Sequence, residues 1–231
     1  MALAVRRVAA AADAPPIADR IPIKGVVFDM DGTLTIPCID FKKLRQVVNI
    51  MTGDVLDTIA TWPPEQQVVA YAAIAEVEHE ALGEMRLMPD LHDLCKLLDD
   101  AGIPRGLITR NTQHSVNHFH TKHLAPLAPF SPALSRDFGV WKPSPQPLLH
   151  ICNSWGVRPE ETMMVGDSAF DDIVSGRRAN AAACILLDTE GQYLHSTEEL
   201  QGESQPDFIA MSLAEVGLLF SQHYQLVSPQ Q

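Results

Sequence analysis

Four short apolar runs, each followed by a stretch that can form an amphipathic helix, constrain this chain more than any other feature. They are Gly25-Val26-Val27-Phe28, Gly106-Leu107-Ile108-Thr109, Thr162-Met163-Met164-Val165 and Ala183-Cys184-Ile185-Leu186-Leu187. Each is apolar at successive positions, so both faces of the strand must be covered, as in a parallel sheet. Asp207-Phe208-Ile209-Ala210 reads as a fifth strand. Between the runs, residues 90–101 carry Leu91, Leu94, Leu97 and Leu98 at helical spacing and stop at Gly102. Residues 112–123, 145–155, 172–179 and 212–221 read as further helices. This alternation predicts an α/β fold: a Rossmann-like, three-layer parallel sheet covered on both faces. Such sheets bind ligands beyond the carboxyl ends of their strands.

One region breaks the alternation. From Asp40 to Met88 there is no convincing strand. Phe41, Leu44, Val47, Val48 and Met51 recur at helical spacing, and residues 65–82 lack both Gly and Pro. Val68, Val69, Ala72, Ala75 and Leu82 predict a broad apolar face there. The expected organisation is therefore a flexible tail over residues 1–22 and a core built from residues 23–39 and 89–225. A helical insertion fills residues 40–88, and a short tail covers residues 226–231.

A chain of 231 residues can bury roughly 70–75% of its unfolded surface without disulfide staples. Its 29 Asp and Glu against 17 Lys and Arg give a net charge of −12. Such an excess disfavours nucleic acid and anionic membrane surfaces as partners, while leaving room for a small phosphorylated ligand at a locally positive site. Apolar runs fall well short of the ~18 residues needed to span a bilayer. Cys38, Cys95, Cys152 and Cys184 form no CxxC pair and read as buried thiols of a reducing compartment, the cytoplasm first. The Ala- and Arg-rich start leaves an organellar address open, although it contains no Ser.

Polar groups gather where a ligand would bind. Asp29 and Asp31 follow the first strand, Thr109 ends the second, and Asp167 follows the third. Lys142 lies in the loop Gly139-Val140-Trp141-Lys142-Pro143-Ser144-Pro145. Three carboxylates and a lysine suit a divalent cation and an anionic group held side by side. His114 and His118 are four residues apart on one helix, but no carboxylate or Cys completes a metal site, so they read as a polar helix face. Trp62, Trp141 and Trp155 read as packing anchors, with Trp141 of interest as the neighbour of Lys142. Asp40, Lys42, Lys43 and Arg45, near the start of the insertion, read as a solvated helix face.

Asp29-Met30-Asp31-Gly32-Thr33-Leu34 resembles the first signature of the haloacid dehalogenase-like superfamily of phosphohydrolases. Ile108-Thr109, Lys142-Pro143 and Gly166-Asp167-Ser168-Ala169-Phe170-Asp171-Asp172 resemble its second, third and fourth, in the family's order, across residues 23–190. The resemblance implies a phosphatase acting on a small phosphomonoester through an aspartyl-phosphate intermediate. It implies Asp29 as nucleophile and Asp31 as general acid and base. Thr109 would bind the phosphoryl group, and Lys142 would neutralise it. Mg²⁺ would be held by Asp29, Asp167 and the backbone carbonyl of Asp31. Of the two acids that fill the family's last slots, Asp171 and Asp172, one would contact a metal-bound water or orient Lys142, with a slight preference for Asp171, and the other would be a helix-start acid. Arg110 would meet a substrate anion or lie at the rim, and Asn111 reads as a turn or helix-start residue. The acid at position 31 favours phosphoryl transfer over dehalogenation. The insertion corresponds to a C1-type cap. The resemblance leaves a phosphomutase and a catalytically weak regulatory protein as alternatives.

Overall fold

The computed structural model describes residues 6–7, 15–193 and 200–229. Expectations for the remaining residues, including the targeting reading of the extreme amino terminus, lie outside the described residues.

The strands are β1 (Arg6–Arg7), β2 (Ile21–Ile23), β3 (Gly25–Phe28), β4 (Thr35–Ile36), β5 (Arg86–Leu87), β6 (Arg105–Ile108), β7 (Ala133–Leu134), β8 (Thr162–Gly166), β9 (Ala183–Leu187), β10 (Phe208–Ala210) and β11 (Tyr224–Leu226). The α-helices are α1 (Phe41–Val48), α2 (Val55–Ala60), α3 (Pro64–Leu82), α4 (Leu91–Asp100), α5 (Gln113–His118), α6 (Gln146–Trp155), α7 (Val174–Arg178) and α8 (Leu213–His223).

Seven strands form one parallel sheet in the order β1-β10-β9-β8-β3-β6-β7. β3 is wholly buried and lies between β6 and β8, with Phe28 opposite Leu107 on one side and Val165 on the other. The two-residue period of a strand sends its side chains to two different cores. Val26 and Phe28 join Leu107, Met163 and Val165 under α4 and α8, where Leu94, Leu98, Val216 and Leu219 are buried. Val27 points the other way and joins Ile108 and Met164 against Leu148 and Ile151 of α6. Each layer of helices therefore covers one face of the sheet, as the four apolar runs require.

Helices α1 to α3 pack round a third hydrophobic cluster made of Leu44, Val48, Ile50, Val55, Ile59, Ala70, Ile74 and Val77. Asp40 begins α1 by accepting a hydrogen bond from the Lys43 N–H, and Asp54 begins α2 by accepting one from Asp57. The chain leaves for this unit and returns from it through an antiparallel pair, with Thr35 opposite Leu87 and Ile36 opposite Arg86.

The face of α3 that is buried differs from the sequence expectation. Val68 and Val69 are 70% and 71% exposed, whereas Ala70, Ile74, Val77, Ala81 and Leu82 face inward. The helix carries two apolar stripes, and the docking of α1 selects the second. The ends of the core differ too. Ile21–Ile23 pair in parallel with Tyr224–Leu226, so Ile21, Pro22 and Leu226, expected in the two tails, join core residues in a small sheet. Pro22 disguises β2, because proline fits only a strand that leaves its N–H side unpaired. Among the described residues, no helix is long and apolar enough to cross a membrane.

Candidate active site

The site lies at the carboxyl ends of β3, β6 and β8. Past Phe28, the Asp29 N–H still donates to the Val165 carbonyl at 3.0 Å, which holds Asp29 in the plane of the sheet. The chain then turns sharply. The N–H groups of Leu34 and Thr35 donate back to the Met30 carbonyl at 2.8 and 2.9 Å, and Gly32 adopts φ +82°. A β-carbon at Gly32 would lie 2.0 Å from Oδ2 of Asp167, so glycine is needed both for the turn and for the approach of the third strand's acid.

Asp29 is buried in direct contact with the Lys142 ammonium, which donates to its Oδ1. Lys142 also lies 2.6 Å from Oδ1 of Asp172. Asp172 is almost wholly buried, and its Oδ2 accepts a hydrogen bond from the Ser168 N–H at 3.0 Å. The fourth motif thus resolves in favour of Asp172, against the slight preference for Asp171. Ser168 caps the turn that follows β8 by accepting from the Asp171 N–H at 3.1 Å. The helical turn then swings Asp172 inward over Gly166, where a β-carbon would meet the Asp172 carboxyl group at 2.2 Å. Asp171 makes no ion pair to Lys142.

Asp31 sits apart from this pair. Its Oδ2 accepts from Nδ2 of Asn111 at 2.6 Å, and its Oδ1 accepts from the Thr35 hydroxyl at 3.0 Å. Asn111 is a site residue that the sequence reading took for a turn or helix start. Thr112 is the residue that caps α5, accepting from Ser115 N–H, which frees Asn111 to face Asp31. The Thr112-x-x-Ser115 pattern was the available signal. Thr109 is buried at the end of β6, and its hydroxyl accepts from the Asn111 N–H at 3.1 Å.

Charge is crowded here. Burial raises the Asp29 carboxyl well above its ordinary range, Lys142 opposes that, and Asp172 and Asp167 push it further up. Burial also raises Asp31, against the hydrogen bonds from Asn111 and Thr35. Asp167 is pushed up to about 7, first by burial and then by the charge of Asp172. Burial alone would depress the Lys142 ammonium, but Asp172 and then Asp29 outweigh it and raise it above its ordinary value. Carboxylate oxygens of Asp29, Asp167 and Asp172 lie within 4.8 Å of one another. An oxygen-only donor set with surplus, desolvated negative charge fits a hard dication such as Mg²⁺. The side chain of Asp31 lies outside this cluster.

A cavity of about 290 Å³ opens over these groups. Core residues Asp29, Asp31, Thr109, Asn111, Lys142 and Asp167 form one end. The helical insertion supplies the other wall, with Phe41, Leu44, Arg45, Val55, Ile74 and Glu78. Ion pairs fasten the two units together. Nη2 of Arg110 bonds Asp54 at 2.8 Å and Asp57 at 3.1 Å, so Arg110 bridges to the insertion from beside Thr109. Trp141 joins the same group, its indole N–H donating to Asp57 at 3.1 Å and its ring lying 5.7 Å from the Arg110 guanidinium. Arg136 pairs with the buried Glu78 of α3. Of the charged residues expected on a solvated face, Asp40 caps α1 and Lys43 pairs with Glu80, while Arg45 turns into the cavity. Histidine rings meet in two pairs among the described residues, His79 with His114 and His118 with His123, and no histidine joins a metal-binding group there.

A model of the haloacid dehalogenase-like hydrolase family matches residues 39–180. An Arabidopsis thaliana haloacid dehalogenase-like hydrolase domain-containing protein is 43% identical over 216 residues, covering 88% of this chain and 86% of the relative. Pyrophosphatase PpaX of Oceanobacillus iheyensis is 26% identical over 216 residues, covering 84% of this chain and 95% of the relative. The crystal structure of a hydrolase from Pseudomonas syringae superposes with a TM-score of 0.72 at 17% identity, covering 87% of this chain and all of that one. With a parallel sheet of this order and acids at the ends of its central strands, the chain belongs to the haloacid dehalogenase-like hydrolase family. Its membership of that family makes it a hydrolase by descent.

Proposed function

We propose that this hydrolase is a Mg²⁺-dependent phosphatase that releases phosphate from a small phosphomonoester through an aspartyl phosphate on Asp29. The observation that carries the reading is the buried contact of Asp29 with Lys142, with Asp31 held separately by Asn111 and Thr35. Two neighbouring carboxylates in different environments suit two different roles.

Asp29 attacks phosphorus with a carboxylate oxygen whose ionised form Lys142 favours, against the burial that raises it. The bond from phosphorus to the leaving oxygen breaks, and Asp31 gives that oxygen a proton. Burial favours the protonated form of Asp31 that this step requires. The leaving group departs as an alcohol. Asp31, now ionised, takes a proton from a water that attacks the aspartyl phosphate, and inorganic phosphate leaves with Asp29 restored. Lys142 and the Thr109 hydroxyl face the phosphoryl oxygens. Mg²⁺ held by Asp29, Asp167 and the backbone carbonyl of Asp31 would neutralise the same oxygens, with Asp172 orienting Lys142 behind them.

Magnitudes favour so many parts. Hydrolysis of a phosphomonoester can need acceleration of up to about 10²¹-fold. Acid–base help provides about 10²–10⁴ of it, which leaves most to positioning and charge neutralisation. The cavity, about 290 Å³, lies at the small end of ligand sites and suits a metabolite. The relative named a pyrophosphatase supports hydrolysis at phosphorus.

Phosphate release across a panel of phosphomonoesters, with and without Mg²⁺, tests the reading. Asp29→Asn should lose turnover while remaining folded, and Asp31→Asn should lose about 10²–10⁴-fold. Full turnover in either variant, or in EDTA, would refute it.

A further inference from the structure

Arg45 of α1 lines the same cavity as Asp29 and Lys142. Its Nη2 donates to the Gly53 carbonyl at 2.9 Å, which fixes the guanidinium plane. Its Nη1 is buried and has no hydrogen-bond partner. The other two cations that line the cavity are neutralised: Arg110 by Asp54 and Asp57, and Lys142 by Asp29 and Asp172. Glu78, an acid of α3 on the cavity wall, is engaged by Arg136 through Oε1. Among the described residues, Arg45 has no carboxylate within 4.0 Å. A desolvated donor without a partner is costly to keep, and an anion arriving with the ligand would satisfy it.

Its place in the site decides which part of the ligand that anion belongs to. Every group that handles the phosphoryl unit comes from the core, whereas Arg45 comes from the insertion. Apolar side chains, Phe41, Leu44, Val55 and Ile74, line the wall beside it. Building on the phosphatase reading, we propose that Arg45 selects substrates whose leaving group carries a second anionic group, a carboxylate or a further phosphoryl, on a short spacer. Arg45 is then a specificity residue that touches the leaving group, and neutral phosphomonoesters of the same size are poor substrates. A planar guanidinium held by one hydrogen bond can present two N–H groups to two anionic oxygens, which an ammonium cannot match.

The test compares kcat/KM for phosphoglycolate, inorganic pyrophosphate and 2-hydroxyethyl phosphate in the wild-type protein with Mg²⁺, then in Arg45→Gln and Arg45→Lys. The wild type should prefer at least one charged compound over 2-hydroxyethyl phosphate by roughly 10- to 100-fold, the range of a charged hydrogen bond. Which of the two wins separates a carboxylate from a phosphoryl as the anion read. Arg45→Gln should collapse that preference, mainly through KM, and Arg45→Lys should restore part of it. Each variant supplies its own ratio, so a general loss of active protein does not imitate the effect. Equal use of charged and neutral compounds by the wild type, or an unchanged ratio in Arg45→Gln, overturns the role of Arg45 and leaves the phosphatase reading standing. Failure to hydrolyse this set together with a broad phosphomonoester panel overturns both.

Discussion

Replacing Arg136 by Met should destabilise the protein in a way that depends on pH. Arg136 is the partner of Glu78, and their side chains are 11% and 7% exposed. Removing one member of a buried pair costs about 3–5 kcal/mol, because the other charge stays desolvated. At 2–4 °C per kcal/mol for a chain of this size, the expected fall in Tm is about 6–20 °C at pH 8. Burial already raises the Glu78 carboxyl, with Arg136 as the main opposing influence, so the variant raises it further. An acid with a raised pKa binds its proton more tightly when folded, so it lowers stability progressively as pH climbs from the unfolded value through the folded one. The gap between wild type and variant should therefore be widest at pH 8 and should close towards pH 5. Thermal denaturation followed by circular dichroism at pH 5, 6.5 and 8 reads both quantities. Arg136→Met with Glu78→Leu should recover much of the loss, since a buried pair replaced by apolar groups is close to neutral. A fall under 2 °C at pH 8, or a gap that does not change with pH, would refute the reasoning.

Two further outcomes follow from the site. Asn111→Leu removes the 2.6 Å hydrogen bond to Asp31, which holds that carboxyl down, and should cut kcat by about tenfold or more while moving the alkaline limb of the pH–rate profile, where a proton-donating Asp31 would ionise, to higher pH; a profile identical to wild type would exclude Asn111 from orienting the acid. Gly32→Ala places a methyl group 2.0 Å from Asp167 Oδ2 at a φ of +82°, so the Mg²⁺ concentration for half-maximal activity should rise at least tenfold, and an unchanged Mg²⁺ requirement would contradict the close approach.

The core of the fold is readable in the chain because a strand buried on both faces leaves an unbroken apolar run. β3, β8 and β9 do so, as does β6 from Gly106 onward, and Asp29 and Asp167 follow β3 and β8 directly. What escaped reading depends on partners distant in sequence. Ile21–Ile23 gain strand geometry from residues about 200 positions away, with Pro22 concealing them. Glu78 looks like one more exposed acid on α3 until Arg136 meets it. Asp171 and Asp172 differ by one position, and the direction of the helical turn after Ser168, which no composition records, sends only Asp172 to Lys142. Arg45 looks solvated because the sequence shows its helix but not the cavity that helix closes.

The arrangement of β3 between β6 and β8 bears on how the protein is made. Asp29, at the end of β3, emerges from synthesis early, but the strands that flank β3 arrive only around residues 105 and 162. A nascent chain therefore carries an orphaned, sticky β3 through most of its translation, and the docked helices of the insertion can be complete before the core they cover exists. Chemistry waits for the last neighbour to slot in, so an interrupted product ending before Thr162 would be inert as well as prone to clumping.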